Sequence, residues 1–465
     1  MITAEYRWVP YEDVGDLWLP RLLAAKHRAS SLSSRSGFAL LGDICRLESG
    51  RYIAEYVGVA EPESRPYLRV DNIRPFCANL NPDDVARVAC NDQQISPGSV
   101  IREDDVVIAR TGTLGKAVLA DATLDGAIAS QHVTRMSLTP SSPAGLNAGF
   151  LCAFLNSPLG REQLLSGGAG STRLELTHAR LASLRIPLLS ATDMARIGSA
   201  SREGSRKLFA AARRCQEAIA LYDELLGARS DDGVSGTHLW IPEDRVAGQW
   251  VPRVFFEDIE TWRNLLRSRF QLAPLGDLAR IRRGKGTKTS HYATDGIPFV
   301  RTSSIINGGI DPFPDHYASP DTAASFKQPT SAGDILLSIE GKIGEVAILG
   351  EAESCAFKNH IEHIRVNASI VDPYEVFLLL SSKFGKAQIR SMTVVQATIP
   401  GLASRSRQIL VPVGPINGRS LTPNDRKTRQ RALELARTAV EMRSDGIRML
   451  REVMGTLASL SNAVA

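Results

Sequence analysis

The run Asp105-Val106-Val107-Ile108-Ala109-Arg110-Thr111-Gly112-Thr113-Leu114-Gly115 decides how this chain is read, because a second copy stands at Asp334-Ile335-Leu336-Leu337-Ser338-Ile339-Glu340-Gly341-Lys342-Ile343-Gly344. Each copy opens with an acid, continues through residues rich in Val, Ile and Leu, and breaks at a glycine turn. That is the pattern of a short buried strand entering a tight turn. Further pairs lie on both sides of it. Leu41-Gly42-Asp43-Ile44 through Gly50 matches Leu275-Gly276-Asp277-Leu278 through Gly284, Arg69 in Tyr67-Leu68-Arg69-Val70 matches Arg301 in Phe299-Val300-Arg301-Thr302, and His132, Gly160 and Pro187 match His360, Gly385 and Pro412. The offset between partners falls from 234 at Gly42/Gly276 through 229 at Gly112/Gly341 to 225 at Pro187/Pro412. A one-way drift of this kind is what loop deletions in a duplicated domain produce.

Each half reads as a mixed α/β (α+β) module. Phe150-Leu151-Cys152-Ala153-Phe154-Leu155 and Val376-Phe377-Leu378-Leu379-Leu380 are too apolar for a surface element and read as buried helix starts. A long amphipathic segment follows each module. Leu208, Ala211, Cys215, Ile219, Tyr222 and Leu225 recur at helical steps, as do Leu433, Ala436, Val440, Ile447, Leu450 and Met454. Thr422-Pro423 supplies an N-cap and a first-turn proline for the second segment. The opposite faces carry Arg202, Arg206, Lys207, Arg213 and Arg214 in the first helix and Arg426, Lys427, Arg429, Arg431 and Arg437 in the second. Two such stripes pair most simply with each other, as an antiparallel coiled-coil spacer with Leu208, Cys215, Tyr222, Leu433, Val440 and Ile447 at the contact. The expected organisation is an N-terminal extension (1–36), a first module (37–190), a first spacer helix (191–230), a second module (231–415) and a second spacer helix (416–465).

Composition narrows the function classes. With 43% apolar and 23% charged residues the chain reads as soluble and globular, and no apolar run is long enough to span a bilayer. The first residues lack a signal-peptide core, so a cytoplasmic location is expected. The six cysteines show no metal or disulfide spacing and read as small buried apolar residues. A net charge of +5 permits a nucleic-acid partner without requiring one.

A search for catalytic chemistry returns little. Gly284-Lys285-Gly286-Thr287-Lys288 lacks the glycine spacing of a phosphate loop. Asp372-Pro373-Tyr374 and Asp311-Pro312-Phe313 lack the second proline of an amino-methyltransferase turn. His360 and His363 flank Glu362, but the first half keeps only His132 there, so no metal site is expected. The chain reads as a binding protein and not as an enzyme.

The order module, helix, module, helix, with the turns Arg110 to Gly115 and Gly341 to Gly344 and the module ending Ala153-Phe154-Leu155-Asn156-Ser157-Pro158-Leu159-Gly160 followed by Leu184-Arg185-Ile186-Pro187-Leu188, resembles the specificity subunit of type I restriction-modification systems. The resemblance covers roughly residues 37 to 460. It implies two target-recognition domains, each reading half of a split double-stranded DNA site, with the helices setting the gap. It also implies about two adenine methyltransferase subunits and restriction/translocase subunits as partners. S-adenosylmethionine, ATP and Mg2+ would then be held by those partners, with no cofactor or metal on this chain. The chain departs from the pattern in the extension at its start, and in Arg173-Leu174-Glu175-Leu176, which matches the family less well than Thr398-Ile399-Pro400-Gly401 does.

Independently of the resemblance, base reading needs paired hydrogen-bonding side chains, and backbone anchoring needs cations and small polar turns. Arg69, Asn72, Arg110, Thr111, Thr113, Lys116 and Gln131 meet that description in the first module, and Arg301, Thr302, Ser303, Lys342, Lys358, Asn359 and His360 in the second. Two rival readings remain open: a specificity-like protein of another phage-defence system, and a cryptic metal-dependent nuclease built on Asp105, Asp334 or Glu340.

Overall fold

The structure, a computed structural model, describes residues 37–58, 63–89, 95–112, 114–166, 175–227, 259–286, 292–293, 295–396, 399–415 and 421–464. The N-terminal extension (1–36), Cys90, Thr113, Arg173, Leu174, residues 231–258 of the expected second module, Thr287, Lys288 and Thr398 lie outside them. The chain divides into two units. One holds the residues up to Phe209 together with those from Arg448 onward, and the other runs from Ala210 to Ile447. Both divisions fall inside helices, Ala191–Leu226 and Pro423–Val464.

In the first unit the repeated strand is Val106–Ala109, and all four of its residues are buried. It lies inside an antiparallel sheet of order Cys45–Ser49, Val133–Leu138, Val106–Ala109, Ala117–Leu119. An interior strand covered on both faces has no position for a polar side chain, hence the unbroken apolar run. A smaller sheet pairs Ser64–Leu68 with Ala86–Ala89 antiparallel and with Ile128–Ala129 in parallel. Phe38–Leu40 pairs with Arg185–Pro187, bringing the ends of the unit together. Helix Ala148–Asn156 is wholly buried and starts where Asn147 Oδ1 accepts from Phe150 N at 3.1 Å, satisfying one orphan donor of its first turn. Its last residue, Asn156, ties it to the sheet, taking Ala117 N at 3.1 Å and donating to Ala117 O at 2.8 Å.

The second unit contains the same strand order: Ala279–Arg283, Ile361–Val366, Ile335–Ser338, Val346–Ile348. Its smaller sheet again joins an antiparallel strand, Tyr317–Ala318, and a parallel one, Ala356–Phe357, to a central one, Ile297–Val300. The buried helix Pro373–Ser381 is capped by Asp372. Linking hydrogen bonds recur as well: Ser130 N to Leu68 O is matched by Lys358 N to Val300 O, and Arg110 N to His132 O by Ile339 N to His360 O.

The core of the second unit takes in both long helices. Cys215, Ala218, Tyr222 and Leu225 of the first and Ala432, Leu435, Ala436, Ala439 and Val440 of the second belong to one apolar cluster with Leu337, Val376, Phe377 and Leu380. At about 1.5–3 kcal/mol for each large side chain removed from water, this burial dominates local stability. Thr422 Oγ1 accepts from Asp425 N at 3.0 Å, the cap that sequence expects.

Two arginines of the charged face of the second helix have partners. Arg429 is bidentate on the buried Glu375, and Arg437 pairs with Asp372 and lies over the Tyr374 ring, so each half-exposed arginine is also tied to a partner. Arg443 interrupts the apolar stripe between Val440 and Ile447 and is itself buried, bound to Glu353 at 2.8 Å.

Candidate nucleic-acid interface

In both units the repeated arginine follows a strand and leads into a 3-10 turn. In the first, Arg69 is the residue before Val70–Asn72, and in the second Arg301 precedes Thr302–Ser304. The turn closes identically, with Asn72 N on Arg69 O and Ser304 N on Arg301 O, each 2.9 Å. Asn72 Oδ1 takes Arg69 N at 2.9 Å and its Nδ2 donates to Asp84 O at 3.4 Å. This work leaves Asn72 only 1% exposed, so it builds the turn and is not offered to a base edge. Lys116, 3% exposed, is likewise withdrawn from the surface. Both depart from the base or phosphate contacts that sequence suggests, because a short polar residue in a turn and a lysine in a hairpin look alike in sequence whether they point in or out.

The remaining first-unit candidates converge. Arg110 Nη2 donates to Gln131 O at 2.7 Å, Tyr67 Oη donates to Gln131 Oε1 at 3.4 Å, and Arg69 stands exposed nearby with Nη2 on Asp84 O at 3.3 Å. Burial raises the Tyr67 hydroxyl, with Tyr56 and Tyr52 adding to that and Arg69 opposing it, and the Tyr56 ring centre lies 5.7 Å from that of Tyr67. Thr111 forms an isolated backbone bridge with Glu175, whose carboxylate lies 3.8 Å from Arg110. Burial and the charge of Arg110 lower the basicity of His178, which also meets Ser49 Oγ at 3.0 Å and Thr134 Oγ1 at 3.2 Å.

The second unit is more strongly cationic. Arg283 and His360 both meet Glu340, and Lys358 N bonds the carbonyl of Val300, the residue before Arg301; burial lowers the basicity of His360, and the charges of Lys358, Arg283 and Arg301 lower it further. Arg283 donates through Nε to Asn359 O at 2.7 Å and through Nη2 to Glu340, while His360 Nε2 lies 3.3 Å from the other Glu340 oxygen. Arg301 Nη1 reaches His316 Nε2 at 3.0 Å, and that imidazole stacks on Tyr292 with ring centres 4.4 Å apart. Ser303 is exposed and Thr302 half-buried on the same turn. Lys342, on the glycine turn, is exposed and pairs with Glu345 at 2.9 Å.

Sequence reasoning passed over Arg283, His316, Tyr52, Tyr56, Glu175 and His178. Arg283 carried a usable signal, since it directly precedes the repeated Gly284; Ser49 in the other copy hid it. The spacer residues Leu208, Cys215, Tyr222, Val440 and Ile447 are all buried within the chain, and Leu433 packs partly buried against the core.

The acids considered for metal chemistry are otherwise engaged. Asp105 takes Arg102 N at 2.7 Å, Arg135 Nη1 at 3.1 Å and Ser137 Oγ at 2.5 Å. Its counterpart Asp334 takes Ser331 N at 2.7 Å and both Arg365 Nε at 2.7 Å and Nη2 at 2.6 Å. Among the described residues no three His, Cys, Asp or Glu side chains are grouped to hold a metal ion, and no helix is long and apolar enough to cross a membrane.

With this geometry in view, residues 268–406 match the family described as the type I restriction modification DNA specificity domain. That stretch of the second unit is similar to a type I restriction modification DNA specificity domain. The matched stretch spans Arg283, Arg301, Glu340, Lys358 and His360. Among solved structures, the S subunit of a type I restriction-modification system from M. genitalium is 13% identical, with 93% of this chain and 96% of that one covered and a TM-score of 0.35. The HsdS subunit from Thermoanaerobacter tengcongensis is 15% identical, with 90% and 96% covered and a TM-score of 0.27. A comparison with curated proteins gives no match.

Proposed function

We propose that this chain is the sequence-reading subunit of a type I restriction-modification complex, with each unit reading one half of a bipartite double-stranded DNA site. The observation that carries this reading is the cluster of Arg283 and His360 on Glu340, with Lys358 and Arg301 on the strands beside it, all within the stretch that matches the specificity domain. Its cations supply phosphate affinity and its forked and amide side chains supply base discrimination. The same strand order and the same arginine-led turn in the first unit support a second reading surface around Arg69, Arg110 and Gln131. The long helices, about 54 Å and 63 Å from their 36 and 42 residues, suit a fixed spacer between two half-sites. In this reading methyl transfer and cleavage belong to partner chains. Adenine methyltransferase subunits, about two by analogy with the family, and restriction/translocase subunits bind S-adenosylmethionine, ATP and Mg2+.

The test is recovery of the tagged full-length chain from its native cells, with mass spectrometry of what co-purifies. An adenine methyltransferase in excess over the chain supports the assignment. A chain recovered alone that cleaves DNA with a divalent metal refutes it and revives the nuclease reading.

A further inference from the structure

Each unit places one carboxylate on the same backbone bridge. In the first unit the bridge is Thr111 with Glu175, and in the second it is Glu340 with Gly401. The bridge is equivalent in the two units, because the next hydrogen bonds are Leu176 N to Arg110 O at 3.0 Å and Leu402 N to Ile339 O at 2.9 Å. The acid, however, sits on opposite sides of it. Thr111 occupies the Glu340 position, and Gly401 occupies the Glu175 position. The backbone arrangement therefore forms with either residue acidic or neutral, and the fold does not dictate where the acid stands. What the two units share is a carboxylate beside an arginine: Glu175 near Arg110 at 3.8 Å, and Glu340 with Arg283.

A carboxylate in a phosphate-binding surface weakens attraction to every DNA sequence, since it faces the phosphates' own charge. It is useful there when a hydrogen-bond donor on the DNA faces it. In the major groove those donors are the exocyclic amino groups, cytosine N4 and adenine N6; guanine and thymine present acceptors there. Glu340 is three-quarters buried at its side chain, held on one oxygen by Arg283 and approached on the other by His360. The acid is thus fixed in place at the rim of the Arg283, Arg301, Lys358 and His360 patch. Arg283 does not depend on it for position, because its Nε is independently held by Asn359 O.

We propose that Glu340 and Glu175 are specificity-determining residues, each accepting a hydrogen bond from an exocyclic amino group at one position of its half-site. This rests on the DNA-reading function above. Each acid then excludes guanine and thymine at that position by roughly 5- to 150-fold, the value of one good base contact.

The experiment is selection of bound duplexes from a randomised DNA pool by the full-length chain, compared among wild type, Glu340→Ala, Glu340→Gln and Glu175→Ala, with thermal unfolding of each variant as the folding control. The expected result is a wild-type requirement for cytosine or adenine at one position in each half-site. Glu340→Ala flattens that position in one half-site and Glu175→Ala flattens it in the other, while all remaining positions are kept and binding to non-specific duplex rises. Glu340→Gln, equal in shape but neutral, also gains non-specific affinity. Variants that fold and keep the wild-type preference at every position overturn the proposal while leaving the DNA-reading function intact. A wild-type chain that selects no sequence overturns that function, and the proposal with it.

Discussion

The buried pair Arg443–Glu353 offers a quantitative test of how the second long helix is fixed to its unit. The side chains are 7% and 1% exposed, and Arg443 Nη2 donates to Glu353 Oε2 at 2.8 Å and to Ile348 O at 2.5 Å. Glu353 also accepts from Ile310 N at 3.2 Å and Gly350 N at 2.8 Å. Breaking a buried pair by removing one partner costs about 3–5 kcal/mol, whereas exchanging both partners for apolar residues is neutral or stabilising. The two single variants should differ. Arg443→Met leaves a carboxylate that keeps two backbone donors and can take up a proton, so its cost belongs near ~3 kcal/mol. Glu353→Leu leaves a guanidinium that cannot lose its proton and has only carbonyls around it, so its cost belongs near ~5 kcal/mol. The first unit already shows an apolar solution. There Leu124 follows Ala120 by four residues as Glu353 follows Leu349, and Leu124 shares a core with Phe209 of the first long helix. Calorimetry of the full-length chain, with hydrogen exchange at Ile348 and Leu349 to assign the transition, should place Arg443→Met about 6–12 °C below wild type. Glu353→Leu should lie lower still, and the double variant near or above wild type. Single variants within ~1 kcal/mol of wild type, or a double variant whose loss equals the sum of the two, would refute the ion-pair argument.

Three further outcomes follow from particular contacts. Burial pushes Asp334 upward, but hydrogen bonds from Arg365 and His363 outweigh it and hold the group at about 2. Because the folded value is depressed, its contribution of about 2 kcal/mol is fully present above pH ~4 and is lost as pH falls through 2. Urea titrations of Asp334→Asn against wild type should differ at pH 7 and converge near pH 2, and a pH-independent gap would contradict the assignment. Gly308 has φ +74°, and a Cβ there would lie 2.4 Å from Cys215 Sγ. Gly308→Ala should therefore cost about 2–4 kcal/mol, combining left-handed strain with overpacking, and adding Cys215→Ala should recover only the packing share in a denaturation assay. Asn72→Ala should lower the stability of the first unit by about 1–2 kcal/mol without altering base preference, while Arg301→Ala should weaken DNA binding and alter preference in one half-site with little change in stability. Paired denaturation and DNA-selection measurements separate the two roles, and a change of base preference in Asn72→Ala would contradict its assignment to the turn.

The sequence by itself determined what periodicity and repetition can carry. Val106–Ala109 and Ile335–Ser338 are strands because an apolar run broken by a glycine turn has few other ways to be buried. The helices Ala148–Asn156 and Pro373–Ser381 are buried because no face of them is polar, and the Thr422 cap follows from local hydrogen bonding. It also brought forward Arg69 and Arg301, and the pair His132 and His360, since basic residues in matching places of two copies stand out without any structure.

Tertiary structure alone decided where each polar side chain is used. Asn72 and Arg69 lie three residues apart and both donate to the carbonyl of Asp84, yet Asn72 is buried, its Oδ1 taking Arg69 N to close the turn, while Arg69 is exposed. Nothing near Arg429 and Arg437 in sequence names their partners Glu375 and Asp372, which lie more than fifty residues away. Arg443 and Glu353 are ninety residues apart, and nothing local to either marks it as buried. Backbone propensity and apolar spacing are local quantities, readable along the chain. The desolvation of a charge and the partner that offsets it depend on which distant segments meet, and only the folded chain brings those segments together.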